Sequence, residues 1–162
     1  MNVHEYVFTS IHGNRMPLSN WRGQPLLMVN TASDCEFTPQ YYKLQREYME
    51  YRESGLVVIG MPCNDFGNQE PGDEESIAQF VHEQYRVNFP MTSKIQVKGY
   101  SAHPLFQGLR DEYGDDVTPR WNFYKYLFNR DGDLVEFWPS KVEPDDPALT
   151  HQVERFLQSW IF

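Results

Sequence analysis

Cys35 is the residue of this chain whose position suggests chemistry most directly. It follows a short apolar run, Leu26-Leu27-Met28-Val29, and precedes Thr38-Pro39, a pair suited to opening a helix. In open α/β sheets, sites gather at the carboxyl ends of strands. A helix N-terminus also favours a thiolate over a thiol, so a cysteine there can serve as a nucleophile. A cysteine in the same place can equally be a small buried hydrophobe, and position alone leaves both readings open. The only other cysteine is Cys63, and the two form no CxxC pair. Dithiol exchange through one motif and a cysteine-built zinc site are therefore excluded. In a reducing compartment both residues start as thiols. The five histidines are scattered, none at helical spacing from another. Neither a metal site nor a cofactor is expected.

The elements that would position Cys35 can be read from periodicity. Residues 25–30 and 56–61 read as buried strands, continuous and aliphatic. Between them, Thr38 is placed as an N-cap and Pro39 at the first helical position. Tyr41, Leu44, Tyr48 and Tyr51 then recur at helical spacing, and Gly55 stops the helix. Strand, helix, strand at this spacing is a βαβ unit with parallel strands and a right-handed crossover. A second helix is expected from Asp73, with Ile77, Phe80, Val81 and Tyr85 as its apolar stripe. Residues 123–128 and 134–138 read as strands joined by the turn Asn129-Arg130-Asp131-Gly132. A last helix begins near Asp146-Pro147 and buries Leu149, Val153, Phe156, Leu157 and Trp160. The sum is an α/β protein: a parallel βαβ half joined to an antiparallel hairpin, with helices on both faces of a mixed sheet. That order suits a thioredoxin-like fold.

The 162 residues favour one domain, residues 1–162, with no internal repeat or linker. A net charge of −9 offers no basic patch for a phosphate backbone and would be repelled by an anionic membrane surface. No apolar run approaches the ~20 residues of a membrane span. The N-terminal residues lack the basic and apolar regions of a signal peptide, which predicts a cytoplasmic protein.

Three groups of residues add to this. They are the segment from Asn30 to Tyr41 around Cys35, the run Pro62-Cys63-Asn64-Asp65-Phe66-Gly67-Asn68-Gln69-Glu70-Pro71-Gly72, and Trp121-Asn122-Phe123. Phe89-Pro90-Met91 and Lys94-Ile95 fit the stretch between the last two. Together, and in this order, they resemble the glutathione peroxidase family, in its cysteine rather than selenocysteine form. The resemblance implies a thioredoxin fold and a peroxidase for hydrogen peroxide and organic or lipid hydroperoxides. It makes Cys35 the peroxidatic residue, supported by Gln69, Trp121 and Asn122. It implies a thiol reductant such as glutathione or thioredoxin as co-substrate. The residue types suit that chemistry. A thiolate attacks one peroxide oxygen, and the Gln and Asn amides and the Trp indole N–H can donate to the thiolate or the leaving oxygen. Taken singly, Gln69 could brace a turn, Trp121 could be core and Asn122 could cap.

Three departures from the family pattern stand out. Glu36 follows the cysteine where the family usually has Gly, and Asp34 precedes it where a basic residue is common. Two carboxylates beside a thiol oppose formation of the thiolate, and Glu36 is expected to narrow the pocket mouth. Second, Val81 stands where thioredoxin-using members carry a resolving cysteine. That leaves an external thiol, or Cys63, to reduce a Cys35 sulfenic acid, and Cys63 is read as structurally buried. Third, Phe137 lies close to where many members carry a basic residue. The stretch from His103 to Trp121 also lacks the insertion of tetrameric members, which predicts a monomer. The competing reading is a non-catalytic thioredoxin-fold module that binds a partner or senses oxidant.

Overall fold

The structure is a computed structural model that describes residues 1–157. A four-stranded sheet forms its centre, in the order β4-β3-β5-β6. Strand β3 (Leu26–Thr31) runs parallel to β4 (Val57–Pro62) and antiparallel to β5 (Lys125–Phe128). β6 (Leu134–Trp138) pairs antiparallel with β5 at the edge. The parallel pair is joined by helix α1 (Gln40–Tyr51), and Gly55 ends the connection at φ 111°. This is the mixed, thioredoxin-like arrangement expected. All six residues of β3 and of β4 are buried, because both faces of these central strands are covered.

The side-chain period of two sends alternate residues to opposite faces. Leu27, Val29 and Val58 share a core with Tyr41 and Leu44 of α1, Ile77 and Val81 of α2 (Glu74–Tyr85), and Leu149 and Val153 of α4 (Pro147–Phe156). Leu26, Met28 and Ile59 face Leu105, Phe106 and Leu109 of α3 (Pro104–Tyr113) on the other side. The small hairpin of β1 (Val7–Thr9) and β2 (Arg15–Pro17) adds Phe8 and Met16 to that second core. Removing one such side chain to Ala would cost about 2–5 kcal/mol.

The stretch after α2 extends the sheet without forming a regular strand. Gly60 N–H donates to the Pro90 carbonyl at 3.0 Å, and Thr92 N–H donates to the Gly60 carbonyl at 2.9 Å. The approach is close: a Cβ on Gly60 would lie 2.4 Å from Met91 Sδ, so that side chain would have to shift. Asp73 caps α2 and Asp146 caps α4 through their side chains, as their sequence positions indicate.

Two local expectations are corrected. Thr38 does not cap α1, which begins at Gln40 after Pro39. Its hydroxyl is engaged in the turn that carries Cys35, described below. The strand expected from residue 123 starts at Lys125, because Phe123 adopts φ 66° and cannot pair in a ladder. The hairpin β1–β2 and helix α3 lie outside the elements read from the sequence, although α3 buries an apolar face of Leu105, Phe106 and Leu109 and has Pro104 in its first turn. Trp160 lies outside the described residues.

One buried carboxylate tests this packing. Glu47 of α1 is buried. Desolvation, then Glu50 and Asp145, pushes its carboxyl up to about 7. A raised carboxyl pKa contributes most to folding when the group is protonated, and that contribution is lost as pH rises from the ordinary glutamate value through about 7. Glu47→Gln is therefore expected to gain about 2 kcal/mol in urea unfolding at about pH 8, and nothing at about pH 4. No gain at the higher pH would contradict it.

Candidate active site

Cys35 sits in a turn closed by its own neighbours. It is only 9 % exposed. Its N–H donates to Thr38 Oγ1 at 2.9 Å, and the Thr38 hydroxyl donates to the Ala32 carbonyl at 2.8 Å. Thr38 N–H returns to the Cys35 carbonyl at 3.0 Å. A threonine that bonds its local backbone in this way fixes a turn. Phe37 N–H points at Cys35 Sγ at 3.4 Å.

Two further loops are tied to this turn. Asp34 N–H donates to the Gln69 carbonyl at 3.0 Å, so the Gln69 loop is held directly beside Cys35. The Gln69 side-chain oxygen accepts from the Asn122 amide at 2.9 Å, and the same amide nitrogen reaches the Phe66 carbonyl at 3.5 Å. With its oxygen occupied, Gln69 presents its NH₂ as a donor. Gly67 has φ 69°, and a Cβ there would lie 3.0 Å from the Trp121 ring. Glycine is thus required for both the backbone and the approach of the indole. The expected residues Gln69, Trp121 and Asn122 are therefore brought together, and the backbone of Gln69 joins them to the Cys35 turn.

The Trp121–Tyr124 loop is held by a residue that sequence reasoning passed over. Asn30 is fully buried near the end of β3. Its amide donates to the Trp121 carbonyl at 2.9 Å, its side-chain oxygen accepts Tyr124 N–H at 3.0 Å, and its carbonyl accepts Phe123 N–H at 2.6 Å. Those bonds sustain the left-handed Phe123. Ser140 adds a hydroxyl donated to the Asn122 carbonyl. The Ser140 carbonyl in turn accepts from Gln40 at 2.7 Å and from the buried Lys125 ammonium at 3.1 Å. Burial brings Lys125 down to about 7. A polar Asn inside an otherwise apolar strand was the available signal.

A shallow cavity of about 400 Å³ opens beside the turn, lined by Glu36, Phe37, Trp121, Tyr124, Pro139 and Lys141 among others. Glu36 does stand at its rim, and both Glu36 and Asp34 are exposed. Water therefore screens their effect on the thiol. A larger cleft of about 630 Å³ lies near α2, with Ile11, Val81, Phe89 and Met91 in its walls and none of the four predicted site residues. Val81 is 3 % exposed and packs in the core. Phe137 packs against Tyr126, their rings 6.0 Å apart. Cys63 is fully buried, and desolvation pushes its thiol up to about 12. It is free, as is Cys35. Among the described residues, no group of three or more His, Cys, Asp or Glu could hold a metal, and no helix is long and apolar enough to cross a membrane.

A single thiol at the strand-to-helix turn of such a sheet, with amide donors brought in by two other loops, defines a thiol oxidoreductase of the thioredoxin-like fold. Comparison with known proteins narrows the class. The glutathione peroxidase family profile matches residues 3–110. The glutathione peroxidase-like peroxiredoxin of Schizosaccharomyces pombe is 45% identical over 147 residues, spanning 90% of this chain and 92% of that protein. A hydroperoxy fatty acid reductase of Synechocystis is 38% identical over 163 residues, spanning 96% and 95%. The apo crystal structure of Trgpx superposes with a TM-score of 0.77 at 31% identity, covering 96% of this chain and 95% of that one. A thiol-disulfide isomerase from Corynebacterium glutamicum, 15% identical with a TM-score of 0.73, shares the fold alone. The chain belongs to the glutathione peroxidase family. It is a peroxidase that reduces hydroperoxides at the expense of a thiol.

Asn30→Ala removes both side-chain bonds to the Trp121–Tyr124 loop. It is expected to cost about 2–4 kcal/mol in urea unfolding and to slow peroxide consumption. Wild-type stability and rate would contradict the role given to Asn30.

Proposed function

We propose that Cys35 is the peroxidatic nucleophile and that Gln69, Trp121 and Asn122 support it. The Cys35 thiolate attacks one oxygen of the hydroperoxide, and the O–O bond breaks. Sulfur is oxidised to the sulfenic acid, and the leaving hydroxide or alkoxide takes a proton to become water or an alcohol. Phe37 N–H steadies the thiolate. The Gln69 NH₂ and the Trp121 indole N–H serve the thiolate and the oxygen on which charge develops. Asn122 acts by holding the oxygen of Gln69, which fixes the direction of the Gln69 donors. The observation that carries this reading is the chain of bonds from Asp34 to Gln69 to Asn122.

An external thiol then completes the cycle. One thiol displaces water from the sulfenic acid to form a mixed disulfide with Cys35. A second thiol releases the first as a disulfide and restores the Cys35 thiol. Glutathione or a thioredoxin-type thiol fits this role. The buried Val81 offers no sulfur, and the buried Cys63 thiol stays protonated. The substrates are hydrogen peroxide and organic or lipid hydroperoxides. The aromatic walls of the adjacent cavity suit an apolar chain, and one relative is named a hydroperoxy fatty acid reductase. We place the chain in a reducing compartment such as the cytoplasm, acting as a monomer, which light scattering would check.

Single-turnover consumption of one equivalent of hydrogen peroxide tests the reading. Pre-reduced protein is expected to remove peroxide far faster than a free thiol. Cys35→Ser should abolish this, and Gln69→Ala should slow it about 10²-fold. Cys63→Ala should leave the rate unchanged, and a Cys35–Cys63 disulfide as main product would contradict the external thiol. Loss no faster than for a free thiol, with hydrogen peroxide and a lipid hydroperoxide alike, would favour the non-catalytic module instead.

A further inference from the structure

The steps above make no use of Lys125, the first residue of β5. It is 0 % exposed, and a lysine is rarely buried so completely without a charged partner. Among the described residues it forms no ion pair. Its Nζ donates to one acceptor, the Ser140 carbonyl, at 3.1 Å. An ammonium buried in this way costs stability, and a well-packed apolar side chain in its place is often neutral or stabilising. A costly buried group inside a sound fold points to function. The period of two places Lys125 on the same face of β5 as Leu127, which packs in the core with Tyr41 and Leu44 of α1. Gln40, the first residue of α1, donates its amide to the same Ser140 carbonyl at 2.7 Å. Both lone pairs of that oxygen are then taken. The Ser140 hydroxyl donates to the Asn122 carbonyl, and the Asn122 amide holds the side-chain oxygen of Gln69. On the other side, Gln40 N–H donates to the Phe37 carbonyl at 2.9 Å, beside the Cys35 turn. Ser140 therefore joins the Cys35 turn to the Asn122 loop by a path separate from the Gln69 backbone, and Lys125 fixes Ser140.

We propose that Lys125 is a positioning residue for the peroxidase reaction: its bond to the Ser140 carbonyl fixes the Ser140 peptide, which aims Asn122 and, through it, the donor of Gln69. This rests on the reading of Cys35 as the nucleophile and Gln69 as its donor. The bond needs an N–H and not a charge, so a neutral donor of similar reach serves in part. An apolar side chain of similar length removes the cost of burying the ammonium and loses the aim. Stability and rate therefore separate at this position: the change that keeps the fold slows the reaction. A merely structural lysine would do the reverse, lowering stability when replaced and leaving the rate of the folded chain alone.

The test compares Lys125→Met with Lys125→Gln, side chains of equal length of which only Gln keeps an N–H. Each is read for urea unfolding and for the second-order rate of Cys35 oxidation by hydrogen peroxide. The rate is divided by the thiolate fraction, measured by ultraviolet absorbance in a Cys63→Ser background. Lys125→Met is expected to unfold at a urea concentration no lower than the native chain and to lose about tenfold in rate per thiolate. Lys125→Gln should recover most of that loss. Ser140→Ala removes the hydroxyl that carries the effect, so it should be slow by itself, and Lys125→Met added to it should cost nothing more. Lys125→Leu takes the place of Lys125→Met should the latter fail to fold. A folded Lys125→Met with the native rate per thiolate would overturn the proposal, whatever its stability. So would a Lys125→Gln as slow as Lys125→Met, or losses at Lys125 and Ser140 that multiply. A native chain that consumes no peroxide would instead overturn the nucleophile assignment, so the two failures are distinct.

Discussion

Three loops that are distant in sequence are tied to one another beside Cys35, and Gln69 is where they join. Its carbonyl accepts from Asp34, next to Cys35, and its side-chain oxygen accepts from Asn122. A glutamine held at both ends has little freedom to rotate, so its NH₂ is aimed before any substrate arrives. In the proposed reaction such a preorganised donor would act without reorganisation cost. The remaining architecture serves this junction. β3 ends at the Cys35 turn, β4 leads into the Gln69 loop, and the Trp121–Tyr124 loop precedes β5. The parallel pairing of β3 with β4 and the antiparallel pairing of β3 with β5 put all three at one end of the sheet.

The supports of the junction are polar and buried, and each answers a specific backbone demand. Asn30 satisfies the carbonyl and N–H groups of a loop that turns through a left-handed Phe123. Thr38 closes the Cys35 turn instead of capping α1. Ser140 joins Asn122 to Gln40 and Lys125. Leaving any of these buried groups unpaired would cost about 1–3 kcal/mol, so the loops cannot shift independently. Around them, Gln40 Oε1, Glu70 Oε2 and Asn122 Oδ1 are buried without a hydrogen-bond partner.

Much of this was legible in the sequence, and the reasons differ by residue. The central strands are continuous aliphatic runs, α1, α2 and α4 carry apolar residues at helical spacing, and the caps at Asp73 and Asp146 are explicit. Cys35 was marked by its place between strand and helix. Gln69, Trp121 and Asn122 were legible only through the family resemblance, since none of their spacings is local. Asn30, Thr38 and Ser140 act through contacts made by tertiary folding, which periodicity does not encode. Thr38 departs from the expected cap for a clear reason: a threonine before Pro39 fits a cap, but the Cys35 N–H and the Ala32 carbonyl take its hydroxyl. The hairpin β1–β2 consists of two three-residue strands, too short to carry a period and shaped by what they pack against; helix α3, with Pro104 in its first turn and Leu105, Phe106 and Leu109 on one face, was legible in the sequence but not read.

The central claim is that oxidising equivalents enter this chain at Cys35 as a sulfenic acid. Exposure of the reduced protein to one equivalent of hydrogen peroxide in the presence of dimedone, followed by peptide mass spectrometry, reads this directly. The account predicts stoichiometric dimedone adduct on the peptide containing Cys35 and none on that containing Cys63. An adduct on Cys63 with Cys35 unmodified would contradict it.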